Sequence, residues 1–226
     1  MLDFEQALLE QIEERESTLF EIEKVIFTKR YKLSQKHFNI FSLQSITMIY
    51  AVWEGFIQKS CQLYIEKINS LEIEFENLSD EIQVFHLENT FKQFKQYPEK
   101  KQKKVKFYAE LAGFHQIDVH QIHGHINTQS NVSFENLNII LNTLSLEAFK
   151  ETWGIYTHPK PNLKESLKTF LRYRNSVAHG GDISAEEKVT QEVYEKYRDL
   201  VRNLMYEIYE RMQYGIKNKK YLKNDF

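Results

Sequence analysis

Arg172-Tyr173-Arg174-Asn175-Ser176-Val177-Ala178-His179-Gly180-Gly181 is the stretch around which the chain is organised. Leading into it and through it, Leu163, Leu167, Phe170, Leu171, Val177 and Ala178 recur at the spacing of a core-facing helical stripe. The stretch is therefore the end of a helix, and Gly180-Gly181, directly after His179, supply a left-handed C-cap. Arg174 falls on the stripe. A guanidinium stays charged at ordinary pH, so a cation at an inward position needs a partner or a task. Asn175 and His179 stand four residues apart, which stacks them on one face, and Arg174 has the reach to join them. A cation, an amide and an imidazole thus meet at one helix end. Two readings fit this spacing: a dipole-compensating cap without chemistry, or a reactive cluster. Spacing leaves both open.

Working outward, the 226 residues contain only 7 Gly and 3 Pro, with none of the prolines before Pro98. So little punctuation predicts long uninterrupted helices and an all-α fold. The 16 Phe and 13 Tyr supply bulky core area. The length suits one domain, residues 1–215, followed by a basic tail, 216–226, with Lys217, Lys219, Lys220 and Lys223 expected to be frayed and solvated. Phe4, Leu8, Ile12, Leu19, Ile22 and Ile26 predict a first amphipathic helix over 3–30 with an acidic outer face. A longer second helix carries Ile46, Ile49, Tyr50, Trp53, Ile57, Cys61, Tyr64 and Ile68 on one stripe, with Glu54 at its edge. On residue type alone Glu54 is a partly solvated carboxylate or half of an ion pair. A helix over 82–97 is expected to stop at Pro98. Ser133 suits an N-cap, with Val132 and Leu137 as a hydrophobic staple, and Asn162 with Glu165 has capping-box spacing at the start of the motif helix. Val189, Val193, Tyr197, Leu200, Leu204, Ile208 and Met212 mark a closing helix ending near Gly215.

Composition removes several classes of function. The single cysteine, Cys61, forbids an intrachain disulfide or thiolate metal cluster, and its place on an apolar stripe reads as core packing. No signal peptide or membrane segment is visible, and with the cysteine usage this points to a cytoplasmic protein. His115, His120, His123 and His125 lie within eleven residues, yet their spacing is irregular, so they read as a flexible connector rather than a metal site. Lys100, Lys101, Lys103, Lys104 and Lys106 form either a solvated face or a phosphate-attracting cluster; Phe107 and Tyr108 beside them either pack into the core or stack on unpaired bases. The net charge of −2 means that contact with a polyanion has to come from local asymmetry of this kind. No nucleophile elbow, glycine-rich phosphate loop or paired-carboxylate motif supports another hydrolase chemistry.

Arg174-Asn175-x-x-x-His179 with Gly180 resembles the Arg-x(4–6)-His signature of the HEPN superfamily of all-helical, metal-independent ribonucleases. Tyr50-Ala51-Val52-Trp53-Glu54-Gly55-Phe56 resembles the Trp-Glu-x-Phe segment of MAE-type HEPN families found in bacterial conflict and defence systems. Ile126-Asn127-Thr128-Gln129-Ser130-Asn131-Val132 is a weaker echo of a polar connector in those families. The resemblance spans residues 40 to 210 and implies an HEPN-like helical bundle of long antiparallel helices with additional short ones.

It also implies an endoribonuclease, a toxin or anti-phage effector, with no cofactor and no metal. Metal-free RNA cleavage needs a base for the 2′-hydroxyl proton, an acid for the leaving oxygen and positive charge for the transition state. His179 titrates near ~6.5 when unperturbed and can serve as acid or base. Arg174 can hold two nonbridging phosphate oxygens. Asn175 is placed to orient His179 or touch the phosphate, and Glu54 to orient Arg174 or His179. One histidine per chain is too few for simultaneous acid and base roles, and the resemblance implies a homodimer through the motif helices with a composite site. The expected partners are an RNA substrate, a second copy and an antitoxin or other regulatory protein. A catalytically silent HEPN module that binds RNA, nucleotide or protein is the alternative. Some HEPN toxins carry a tyrosine two residues after the motif histidine as a modification site; Gly181 occupies that place here.

Overall fold

The computed structural model describes residues 4–128, 131–154, 162–178 and 189–223. Among these, seven α-helices account for the architecture: α1 (Phe4–Phe27), α2 (Gln35–Asn69), α3 (Asp80–Thr90), α4 (Lys101–Phe114), α5 (Phe134–Thr143), α6 (Leu163–Ala178) and α7 (Gln191–Lys217). Three single 3-10 turns, Lys29–Tyr31, Phe75–Asn77 and Lys92–Phe94, fill connections, and the described residues contain no extended strand. The all-α expectation holds.

The 35-residue α2 is the central element, because α1, α6 and α7 all pack on it. Its stripe is as the spacing predicts: Ile46, Ile49, Tyr50, Trp53, Ile57, Cys61, Tyr64 and Ile68 are buried. Burial raises the Cys61 thiol to about 12, which suits an inert core side chain. By length and composition alone α2 is apolar enough to cross a membrane. Here the stripe from Ile46 to Ile68 is covered by the helices around it, while Ile40, Phe41 and Met48 stand exposed. α1 runs antiparallel to α2, since Phe4 meets Tyr64, Arg15 sits over Phe56 and Phe27 meets Phe38. α7 runs antiparallel to α1: Tyr194 Oη donates to the Leu19 carbonyl, Arg198 pairs with Glu23, Arg202 with Glu16 at 2.6 Å, and Tyr209 Oη donates to Glu5 at 2.8 Å. The acidic face of α1 is thus partly a docking face for α7.

Helix ends follow the caps. Ser133 Oγ accepts from Asn136 N–H at 3.1 Å, with Val132 and Leu137 both buried. Asn162 Oδ1 accepts from Glu165 N–H at 2.9 Å and starts α6.

Three boundaries differ from expectation. α3 stops at Thr90, before Pro98, because Phe91 turns into the core against Phe107 and Phe114. α7 runs through Gly215 to Lys217; the glycine is buried, and a Cβ there would lie 2.6 Å from Tyr64 Oη and from Leu146 Cδ2. Its role is close helix approach, not termination. The tail, expected to be frayed, is held down over its described residues to Lys223: Ser79 N–H donates to the Tyr221 carbonyl at 2.8 Å, Lys223 N–H to the Asn77 carbonyl at 3.0 Å, and Tyr221 is buried.

Candidate active site

Tyr50, Glu54 and Gln58 succeed one another at four-residue intervals and form one ridge of α2. The polar connector lies along this ridge. Val132 N–H donates to Tyr50 Oη at 2.8 Å, Thr128 Oγ1 donates to Glu54 Oε1 at 2.6 Å, and Gln58 Nε2 donates to Thr128 Oγ1 at 3.1 Å. Ile126, Thr128 and Val132 are buried there. Further back, Asn69 holds both the N–H and the carbonyl of Ile122 through its side-chain amide. The polar connector is therefore pinned to α2 at its described residues, and Ile122, inside the histidine-bearing segment expected to be flexible, is held by Asn69. Gln129 and Ser130 lie outside them.

Arg174 approaches the same ridge from α6. Its guanidinium lies 5.0 Å from the centroid of the Tyr50 ring, and Nη1 donates to Asn175 Oδ1 at 2.9 Å. A guanidinium over an aromatic face gains about 0.5–2 kcal/mol, depending on solvent exposure. α6 brings it there because Leu163, Leu167 and Phe170 are fully buried, and Phe170 meets Tyr50 edge-on at 5.7 Å while stacking on Tyr197 at 4.9 Å. Burial raises the Tyr50 hydroxyl above its ordinary range; the Val132 N–H and Arg174 oppose this and Glu54 adds to it. The phenol stays neutral and keeps accepting from Val132. Arg174 is half-buried and Asn175 exposed. Among the described residues Glu54 accepts from Thr128 and Arg174 donates to Asn175, and no ion pair joins Glu54 to Arg174. Trp53, beside Glu54, is a core residue stacked near Phe56. His179, Gly180 and Gly181, with the proposed C-cap, lie outside the described residues.

Sequence reasoning names Tyr50 and Thr128 within motifs but gives neither a role. The four-residue step from Tyr50 to Glu54 is the signal that links them. Also unread in the sequence is a cleft of about 380 Å³ between the start of α5 and the outer face of α6, lined by Ser133, Phe134, Lys164, Lys168, Arg172 and Asn175 among others. Lys164 bridges Glu135 and Glu151 at 3.2 and 3.4 Å across its edge. Asn175 thus touches Arg174 on one side and faces a basic cleft on the other.

The histidines fall elsewhere. His120 stacks on Phe114 at 3.7 Å, and His120 and His123 lie 5.8 and 5.6 Å from His86, which is buried on α3. Burial first, then the neighbouring His123 and His120, pushes His86 down to about 4. They build a packed aromatic cluster with Phe75.

The match to the HEPN_MAE_28990-like HEPN family covers residues 4–221. Neither the curated proteins nor the solved structures contain a match to the chain. The family match takes in α1 through α7 and all three motif segments, and the chain belongs to the MAE-type HEPN family.

Proposed function

We propose that the chain is a metal-independent endoribonuclease, a toxin or defence effector acting on cytoplasmic RNA and held in check by a regulatory protein. Family membership supports an RNA-related, nuclease-like role. The observation that carries the finer reading is the meeting of three separate segments along the Tyr50–Glu54 ridge: α2 supplies the ridge, the connector joins it through Val132 at Tyr50 and Thr128 at Glu54, and α6 reaches it through Arg174 over Tyr50. A half-buried cation held on a ring and oriented by an adjacent amide is preorganised for an anion, because its orientation is set before the ligand arrives.

In this reading Arg174 binds the nonbridging oxygens of the scissile phosphate. Asn175 keeps the guanidinium fork oriented. His179 takes the proton of the 2′-hydroxyl; O2′ bonds to phosphorus as the P–O5′ bond breaks, and His179 of a second copy gives a proton to the departing O5′. The products are a 2′,3′-cyclic phosphate and a 5′-hydroxyl. DNA lacks the nucleophile and escapes. A symmetric dimer through the α6 ends supplies the two histidines. Glu54 acts at one remove, by fixing the connector beside the ridge that carries Arg174.

The test compares wild type with Arg174→Ala and His179→Ala on mixed cellular RNA in EDTA, after confirming equal oligomeric state. Cleavage that survives chelation, leaves cyclic-phosphate ends and disappears in both variants supports the proposal. Intact RNA with wild type, or equal cutting by the variants, favours the catalytically silent binding module.

A further inference from the structure

Residues 92–108 hold seven lysines against one carboxylate, Glu99, in a chain whose net charge is −2. Lys95 and Lys106 are paired, with Glu88 at 3.5 Å and Glu110 at 3.7 Å. Among the described residues Lys100, Lys101 and Lys103 pair with no carboxylate, and Lys104 Nζ lies 5.0 Å over the Tyr97 ring. Lys101, Lys104 and Tyr108 follow at helical intervals of three and four and share one face of α4.

The aromatic residues among these lysines are exposed but held in place. Phe107 is buried, and around it stand Phe94 at 5.5 Å, Tyr97 at 6.3 Å and Tyr108 at 5.7 Å. Those three are 50%, 50% and 58% exposed. Tyr97 Oη and Tyr108 Oη are 3.4 Å apart. Rings anchored at a buried neighbour, yet open to water and bordered by unpaired cations, match a ligand with flat faces and regular negative charge.

We propose that this face of α4 and the Lys92–Phe94 turn binds single-stranded nucleic acid, with Tyr97 and Tyr108 stacking on unpaired bases and Lys101 and Lys104 meeting the adjoining phosphates. A duplex keeps its base faces inside the stack and offers the rings nothing. An anionic bilayer would satisfy the lysines, but insertion needs a broad outward apolar helix face, and the large exposed apolar side chains of α4 are Val105 and Tyr108 alone, while Phe107 and Phe114 turn to the core. The surface needs neither Arg174 nor His179, so it stands apart from the cleavage chemistry and would serve it as a capture site.

The test uses the full chain carrying Arg174→Ala, so that the probe is not consumed, and follows the anisotropy of a short fluorescent oligouridylate. Lys101→Gln with Lys104→Gln is expected to weaken binding about tenfold at low salt and to flatten the log–log salt dependence by about 1.4, at ~0.7 per lost phosphate contact. Tyr97→Ala with Tyr108→Ala is expected to weaken it by about tenfold or more at an unchanged salt slope, while the paired Tyr→Phe changes preserve it. Oligodeoxyuridylate should bind comparably and a duplex of equal length much more weakly. Thermal melts matching the parent show that Phe107 is undisturbed. No binding of the oligonucleotide, equal binding by all variants, equal affinity for duplex, or lysine-dependent binding only to phosphatidylserine vesicles would each overturn the proposal. Retained α4-dependent binding in a protein that never cleaves RNA would leave this surface standing and remove the nuclease reading alone.

Discussion

Tyr50 serves two partners with different parts of its side chain: the hydroxyl takes the Val132 N–H and the ring carries Arg174. Tyr50→Phe separates these roles. It strands a buried N–H, and stability measured by urea unfolding is expected to fall by about 1–3 kcal/mol, while the ring under Arg174 remains and cleavage by the folded fraction persists. Arg174→Lys does the reverse. Arg174 is half-buried, and a lysine keeps the charge and the reach to lie over the Tyr50 ring, so the melt should barely move. The ammonium loses the planar fork that pairs with Asn175 and two phosphate oxygens, and RNA cleavage is expected to drop by at least tenfold. At this scale the sequence is informative about which residues matter and silent about how they connect. Arg174, Asn175 and Glu54 stand out by type in the motifs. That Glu54 is joined to Thr128, 74 positions along the chain, follows from the path of the connector, which no local pattern encodes.

Helices α1, α2 and α7 are legible because each has a long apolar stripe of a single period, and a stripe of that kind has one physical solution. The short elements are less so. α3 buries little, chiefly Ile82 and His86, so its end is set by where Phe91 finds core neighbours and not by the proline seven residues later. Gly215 is misread for a related reason: a glycine late in a helix signals a cap, while its actual constraint comes from Tyr64 on a different helix. Gly215→Ala tests this. As a terminator it would tolerate alanine or gain slightly in helix propensity. As a contact point, with a Cβ 2.6 Å from Tyr64 Oη and Leu146 Cδ2, it is expected to lose about 1–3 kcal/mol from overpacking in denaturant melts. Pairing it with Tyr64→Phe should recover part of that loss, since the hydroxyl is the closest atom on that side.

For the whole molecule, the distribution of titratable groups makes stability depend on pH at one place in particular. His86 is buried between Phe75 and Phe114, with His120 and His123 as its ring neighbours and Thr90 Oγ1 3.5 Å from its Nε2. Its folded value is lowered to about 4 from an ordinary 6.5. The unfolded chain therefore takes up the proton first. The stabilisation is complete above the unfolded value and is lost as pH falls from there toward the folded value. Between pH 7 and 5 this single group is expected to remove on the order of 2 kcal/mol of stability. Most carboxylates stay ionised over that interval, so the loss is assignable to histidine. His86→Gln keeps a polar planar side chain without the titration, and its urea-derived stability should be lower at pH 7 but flatter between pH 7 and 5. If the variant and the wild type fall in parallel, the proton is being taken up elsewhere and the buried position of His86 has no thermodynamic consequence at these pH values.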